Sequence, residues 1–161
     1  MTSSSSGIYG NFGQTNYGAA KMAVVGLMNS LCLEGHKYGI HVNSLAPIAA
    51  TRMTEDLMPA EVLSHLDPAA VTPAVIFMAS EDAPTKQIIA AGAGMFARVA
   101  IQETPGVYLA EGERSAENVA AQWQQIASVE GAVELTAGSD QTMKFMSSVM
   151  QALGIDPERQ S

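Results

Sequence analysis

The chain has 161 residues, of which 47% are hydrophobic and 15% charged, and its formal net charge is -8. This acidic balance argues against nucleic acid or an anionic membrane as a partner, because phosphate groups require a basic face. The polar start argues against a secretory signal, and no apolar run reaches the roughly 18 residues of a membrane span. We therefore expect a soluble cytoplasmic protein, and the single cysteine excludes a disulfide within the chain.

The first predicted elements are a serine cluster with a Gly-rich turn, followed by a long apolar helix from about Thr15 to Tyr38. Tyr17 and Lys21 lie four residues apart, so on a helix they project from one face a single turn apart. A nearby ammonium favours the ionised phenol, which suits tyrosine for proton transfer. Ser4, thirteen residues before Tyr17, would hold the substrate oxygen. The alternative is an ordinary exposed pair at a helix start.

These residues resemble the active site of the short-chain dehydrogenase/reductase family, which has a serine, a tyrosine thirteen residues later and a lysine four beyond that. Two segments are similar in sequence to the (3R)-hydroxyacyl-CoA dehydrogenase part of multifunctional beta-oxidation enzymes. They are Gly7-Ile8-Tyr9-Gly10-Asn11-Phe12-Gly13-Gln14 and Gly39-Ile40-His41-Val42-Asn43-Ser44-Leu45-Ala46-Pro47. The resemblance weakens beyond about Arg98, although Ser115 to Ile126 still resembles the C-terminal extension of that subfamily.

The resemblance implies hydride transfer at a nicotinamide ring. Tyr17 would exchange the hydroxyl proton, Lys21 would also hold the nicotinamide ribose, and Ser4 would hydrogen-bond the carbonyl. It implies NAD as cofactor, with NADP as the alternative, and an acyl thioester as substrate. The full-length enzyme is expected to be a homo-oligomer.

After the long helix, Gly39 predicts a stop and Ile40 to Leu45 a strand that ends near Pro47. The family's loop over the nicotinamide would begin here, which makes Pro47, Ile48 and Thr51 candidate cofactor contacts by resemblance. In the family a glycine commonly follows the proline and a threonine comes five residues after it. Ile48 replaces that glycine and Thr51 comes four residues after Pro47, so the match is looser.

Further along, prolines predict helices over Pro59 to Leu66 and Pro73 to Ser80, the second capped by Thr72. The segment Gly92-Ala93-Gly94-Met95-Phe96-Ala97 fits a dinucleotide-binding pattern, but too few residues precede Pro105-Gly106 for the required helix and strand. We instead predict a last strand over Gln87 to Ala91 and a turn at Gly92 to Gly94. Two amphipathic helices are predicted over Ser115 to Ser128 and Ser139 to Leu153.

The expected fold is α/β: the C-terminal portion of a Rossmann-like doubly wound parallel sheet, mostly helical, with a helical C-terminal extension. Residues 1–103 would form the catalytic portion and residues 104–161 the extension. The three histidines are too scattered for a metal motif, so no metal is expected.

Two functions fit this organisation. The first is an oxidoreductase that transfers a hydride between NAD(H) and a 3-hydroxyacyl or 3-oxoacyl thioester; the cofactor-binding half would lie outside this chain, which would be inactive alone. The alternative is a non-catalytic truncated remnant that acts as an interaction or assembly module.

Overall fold

A computed structural model describes residues 1–49 and 59–155, and these form two compact units, residues 1–100 and 101–161. The first unit is an α/β structure, as the sequence predicted, and contains a three-stranded sheet. Its helices and strands are α1 (Ser5–Ile8), α2 (Thr15–Gly35), β1 (Ser44–Pro47), α3 (Ala60–His65), α4 (Thr72–Met78), β2 (Ile88–Gly92) and β3 (Met95–Val99). The second unit contains α5 (Ala116–Ala121), α6 (Trp123–Ile126) and α7 (Gly138–Leu153).

The sheet has the order β1-β2-β3 and mixed pairing. β1 runs parallel to β2 with Ser44 opposite Ile88, whereas β2 and β3 form an antiparallel hairpin. On the other side of β1, Thr2 forms a parallel bridge to Leu45. The first residues therefore pair with β1 and lead directly into the serine cluster.

The two faces of β2 contribute to different apolar clusters, as expected for a strand that is covered on both faces. Ile88 packs with Val25 and Met28 of α2 in one cluster. Ala91 belongs to the other, with Leu45 of β1 and Val71 and Ala74 from the region of α4. Helices on both sheet faces are the arrangement that a doubly wound fold requires.

The predicted long helix is present, since α2 is followed by a 3-10 helix over His36–Tyr38 and by Gly39 in the left-handed conformation. Apolar residues lie on more than one face of this helix, which predicts burial on several sides, and that prediction is wrong. Only one stripe is buried, at Val25, Met28, Cys32 and Gly35, while Leu27 and Leu33 are about half exposed. The spacing of three and four residues within that stripe is the spacing of a single helix face.

The strand predicted over Ile40 to Leu45 begins later, at Ser44. The two residues before Ser44 form hydrogen bonds to a loop instead of to a neighbouring strand. The Val42 N–H donates to Thr85 Oγ1 at 3.0 Å, and the Asn43 side-chain amide donates to the Pro84 carbonyl at 2.7 Å. Contacts to an irregular loop thus replace a strand ladder at Val42 and Asn43.

Thr72 was predicted as the N-cap of α4, but the structure makes it the first residue of the helix. Val71 occupies the cap position. The reason is a 3-10 helix over Pro68–Val71, which already brings the backbone into helical geometry before Thr72. Asp67 caps that turn by accepting a hydrogen bond from Ala69 N at 2.8 Å.

The Gly92 to Gly94 segment joins β2 to β3, and no helix follows it. Ala93 and Gly94 have positive φ angles of 49° and 76°, which suit the tight turn of a hairpin. The dinucleotide-loop interpretation is therefore wrong, and the predicted turn is present. The prediction that the strand before this turn is the last one is also wrong, because the two-residue turn lets Met95–Val99 pair antiparallel with β2. In the second unit, the helix predicted over 115–128 is divided into α5 and α6 at Gln122.

Candidate active site

The carboxyl ends of the parallel strands bring the predicted site segments to one edge of the sheet. The Ser3 N–H donates to the Leu45 carbonyl at 2.7 Å, and the Leu45 N–H donates to the Met1 carbonyl at 2.9 Å. Ser4 therefore follows one parallel strand, just as Ile48 follows its neighbour β1. In open α/β sheets this edge is where ligands bind.

Tyr17 and Lys21 lie in the first two turns of α2 and face each other. The Lys21 ammonium lies 5.7 Å from the centroid of the Tyr17 ring. Tyr17 is 45% exposed, so part of the residue can be reached by a ligand. Lys21 Nζ also donates to the Thr2 carbonyl at 3.0 Å. Since an ammonium has three N–H donors, this contact leaves donors for a second ligand such as a ribose hydroxyl.

Ser4 is the N-cap of α1 and has extended backbone geometry. Its Oγ accepts a hydrogen bond from Ser6 N at 3.2 Å, so the hydroxyl hydrogen is left to donate. The neighbouring Ser3 differs, because it is buried and its hydroxyl donates to the Lys21 carbonyl at 2.8 Å. Spacing to Tyr17 distinguished the two serines in the sequence, but nothing in the sequence signalled the contact of Ser3.

Pro47 and Ile48 form the end of β1 and the residue beyond it. The Ile48 N–H donates to the Ala91 carbonyl at 2.8 Å, which ties this segment to β2, and the Ile48 side chain is half exposed. The backbone there passes very close to Gly92, since a Cβ on Gly92 would lie 2.1 Å from the Ile48 oxygen. The third predicted cofactor contact, Thr51, lies outside the described residues.

Other features of the described chain lie apart from these residues. A cavity of about 430 Å³ opens between α4 and the β2-β3 hairpin, lined by Phe77, Ile89 and Phe96 among others, and it includes none of the predicted site residues. Within residues 1–49 and 59–155 no group of three or more His, Cys, Asp or Glu side chains could hold a metal ion. None of the helices there combines the length and apolarity needed to cross a membrane.

In the second unit, hydrogen bonds connect Glu103 to α7. The Lys144 ammonium donates to the Glu103 carboxylate at 2.7 Å, and the Gln141 amide donates to its other oxygen. The bond from Lys144, then that from Gln141, lowers the pKa of Glu103, because both favour the charged carboxylate. The Glu103 and Lys144 side chains are both partly exposed. We therefore interpret the cluster as a structural contact and not as a catalytic buried acid.

Comparison with known proteins identifies relatives of the chain. The sequence profile described as short chain dehydrogenase matches residues 1–62. A Mycobacterium tuberculosis protein named as a short-chain type dehydrogenase/reductase is 48% identical over 133 residues, 82% of this chain and 46% of its own length. Peroxisomal multifunctional enzyme A of Dictyostelium discoideum is 40% identical over 150 residues, 92% of this chain and 34% of its own. The chain thus spans less than half of either relative.

A solved structure agrees with the sequence relatives. Full-length peroxisomal multifunctional enzyme type 2 from Drosophila melanogaster superimposes with a TM-score of 0.82 and 29% identity, covering 94% of this chain and 28% of that one. The matched profile includes Ser4, Tyr17 and Lys21, and the shared fold includes the sheet edge at which Ser4 and Ile48 lie. Residues 1–62 thus match the short-chain dehydrogenase profile, and the chain is similar over most of its length to a short-chain type dehydrogenase/reductase.

Proposed function

We propose that this chain is the catalytic C-terminal portion of an oxidoreductase that transfers a hydride between NAD(H) and a 3-hydroxyacyl or 3-oxoacyl thioester. The observation that carries the proposal is the facing pair Tyr17 and Lys21 on α2, with Lys21 hydrogen-bonded to the segment that leads into Ser4. A relative named (3R)-3-hydroxyacyl-CoA dehydrogenase supports this substrate class. The cytoplasmic location expected from the sequence stays a prediction.

The donor set of the site suits the proposed roles. Tyr17 takes the proton from the substrate hydroxyl during oxidation and returns it during reduction. Ser4 donates a hydrogen bond to the same substrate oxygen and so holds it at Tyr17. Lys21 places its remaining N–H donors toward a ribose and stabilises negative charge on the phenol. When bound, the nicotinamide supplies the hydride acceptor or donor.

The described residues provide the proton-transfer side of the site, but among them no glycine-rich loop joins a strand to a helix as in a pyrophosphate-binding loop. The one segment with that pattern, Gly92 to Gly94, is a hairpin turn. A pyrophosphate-binding loop would therefore come from residues outside this chain, and hydride transfer requires the dinucleotide to be aligned with the substrate. We accordingly expect the 161 residues alone to bind NAD(H) weakly and to show no turnover.

The test is complementation. The chain is assayed by NADH absorbance with a (3R)-hydroxyacyl-CoA and NAD, alone and mixed with the separately produced N-terminal portion of the M. tuberculosis relative. Turnover should appear only in the mixture, and Tyr17→Phe should reduce it by at least about 100-fold, because a general acid-base group contributes that much. Tyr38→Phe is the matched control, since Tyr38 lies beyond the far end of α2 and is 70% exposed.

Equal turnover with and without the Tyr17 hydroxyl would contradict the proposed mechanism. A tight, saturable NADH fluorescence titration of the chain alone would contradict the expected division between the two portions.

One observation favours the alternative, a non-catalytic interaction or assembly module. α2 exposes apolar side chains at Leu27 and Leu33 in addition to its buried stripe. Such a surface predicts self-association and binding of a hydrophobic dye. A monodisperse monomer by light scattering, without dye binding, would count against this alternative, and absence of turnover in every complementation mixture would favour it.

A further inference from the structure

Two glycines form the contact between α1 and α2. A Cβ on Gly7 would lie 2.8 Å from Lys21 Cβ and 2.9 Å from the Lys21 carbonyl carbon, and a Cβ on Gly18 would lie 2.9 Å from the Ser6 carbonyl oxygen. Distances below 3.0 Å are essentially never occupied by a real Cβ. Neither glycine has a positive φ, so what requires glycine at both positions is the close approach of the two helices.

A buried hydroxyl ties the same two segments together. Ser3 is 1% exposed, and its Oγ donates to the Lys21 carbonyl at 2.8 Å. Lys21 Nζ returns a hydrogen bond to the Thr2 carbonyl at 3.0 Å. The backbone and the side chain of Lys21 are therefore both bonded to the residues that immediately precede Ser4.

We propose that Ser3, Gly7 and Gly18 are positioning residues, which hold the segment carrying Ser4 against the turns of α2 that carry Tyr17 and Lys21. This inference rests on the proposed function for its catalytic meaning. Its physical basis is that a displacement of about 1 Å in a catalytic group can cost about 100-fold in rate. The two glycines set the separation of the segments, and the Ser3 hydroxyl sets their register.

The glycines of α2 provide an internal comparison. A Cβ on Gly26 would have nothing within 4 Å of it, in contrast to one on Gly18. Alanine is the better helix former, so Gly26→Ala should stabilise α2. Gly18→Ala gains the same propensity but drives a methyl group into the Ser6 carbonyl. The two substitutions should therefore have opposite effects on the packing of α1.

The experiment uses the complete 161-residue chain and NMR spectra of its Tyr17 ring and Lys21 side chain. The Lys21 ammonium lies 5.7 Å from the centroid of the Tyr17 ring. In Gly7→Ala and Gly18→Ala, the Lys21 side-chain signals should move toward unstructured values, and contacts between the backbone protons of residue 7 and the Lys21 protons should weaken. Gly26→Ala should leave both sets of signals unchanged. Because none of these measurements requires turnover, the outcome of the experiment is independent of whether the chain takes part in catalysis.

Ser3→Ala tests the hydrogen bond with less risk to folding. It should shift the carbon-13 signal of the Lys21 carbonyl, which accepts the Ser3 hydroxyl, and move the Tyr17 and Lys21 side-chain signals in the same direction as Gly18→Ala does. Ser44→Ala is the matched control, because Ser44 is equally buried and its hydroxyl has no hydrogen-bond partner among the described residues.

Val25→Ala, a core change within α2, separates positioning from general destabilisation. It should lower the unfolding temperature without moving the Tyr17 and Lys21 signals. The proposal is overturned if Ser3→Ala and Gly18→Ala leave those signals at their wild-type positions, or if Val25→Ala moves them by the same amount.

Discussion

Each of the two units is stabilised internally by a different kind of interaction. Residues 1–100 contain every residue that the structure buries, including Met28 at 1% exposure and Ala91 at 1%. No described residue of the second unit is buried, and its contacts include the hydrogen bonds of Glu103 with Lys144 and Gln141. Apolar burial contributes in proportion to area, whereas exposed hydrogen bonds and ion pairs contribute little. The difference predicts that the first unit responds to volume changes and the second to pH.

The largest effect is expected from Met28→Ala. Met28 packs with Val25 and Ile88 in a buried cluster, and removing its side chain should cost about 2–5 kcal/mol of unfolding free energy through lost burial and a cavity. Urea unfolding followed by circular dichroism measures this cost. The matched change in the second unit is Met143→Ala, at a residue 60% exposed, which should cost less than about 0.5 kcal/mol. Equal costs would remove the distinction between the units.

The next largest loss of unfolding free energy is expected from Asn43→Ala. The Asn43 side chain is buried, donates to the Pro84 carbonyl at 2.7 Å and accepts from Gln87 N at 2.9 Å. Removing it leaves those backbone groups unpaired, at a cost of about 1–3 kcal/mol. The exposed Asn118 donates to the Glu113 carbonyl at 2.8 Å, and water can replace that bond. Asn118→Ala should therefore have a much smaller effect in the same urea titration.

Glu103→Gln tests the electrostatics of the second unit. Because Lys144 and Gln141 lower the pKa of Glu103 below its ordinary value of 4.5, ionised Glu103 stabilises the folded unit above that pH. This contribution declines as the pH falls from about 4.5 through the lower folded pKa. Trp123, the single tryptophan, lies in the second unit and reports its unfolding by fluorescence.

The glutamine variant should unfold more easily at pH 7 and lose part of the decline in stability below pH 4.5. Glu130→Gln, at an exposed position, is the control. An unchanged pH profile in Glu103→Gln would show that the cluster does not stabilise the unit.

The smallest expected change in stability comes from Ser44→Ala, which, unlike the preceding substitutions, should not destabilise the protein. Ser44 is fully buried in β1, and its hydroxyl has no partner among the described residues. Since an unpaired buried hydroxyl carries a desolvation cost, Ser44→Ala should leave stability unchanged or raise it by up to about 1 kcal/mol. Thermal unfolding measures this change. A clear loss of stability would indicate that the hydroxyl makes a contact within the native core.

Much of the first unit could be predicted from local patterns. The α2 helix, its end at Gly39 and the turn at Gly92 to Gly94 follow from helix periodicity and from backbone preferences at glycine. Errors arose where an element's bounds depend on a distant partner. β1 begins at Ser44 because Val42 and Asn43 bond to residues 84–87, more than forty positions away.

The resemblance to short-chain dehydrogenases and the candidate residues Ser4, Tyr17 and Lys21 could be read from the sequence, because residue types and their spacing are local properties of the chain. Only the tertiary structure decided how these residues are held. The buried bond of Ser3 to Lys21 and the close approaches at Gly7 and Gly18 arise when two segments meet in space. A sequence records a glycine or a serine, but the separation and hydrogen bonding that require it there exist only after folding.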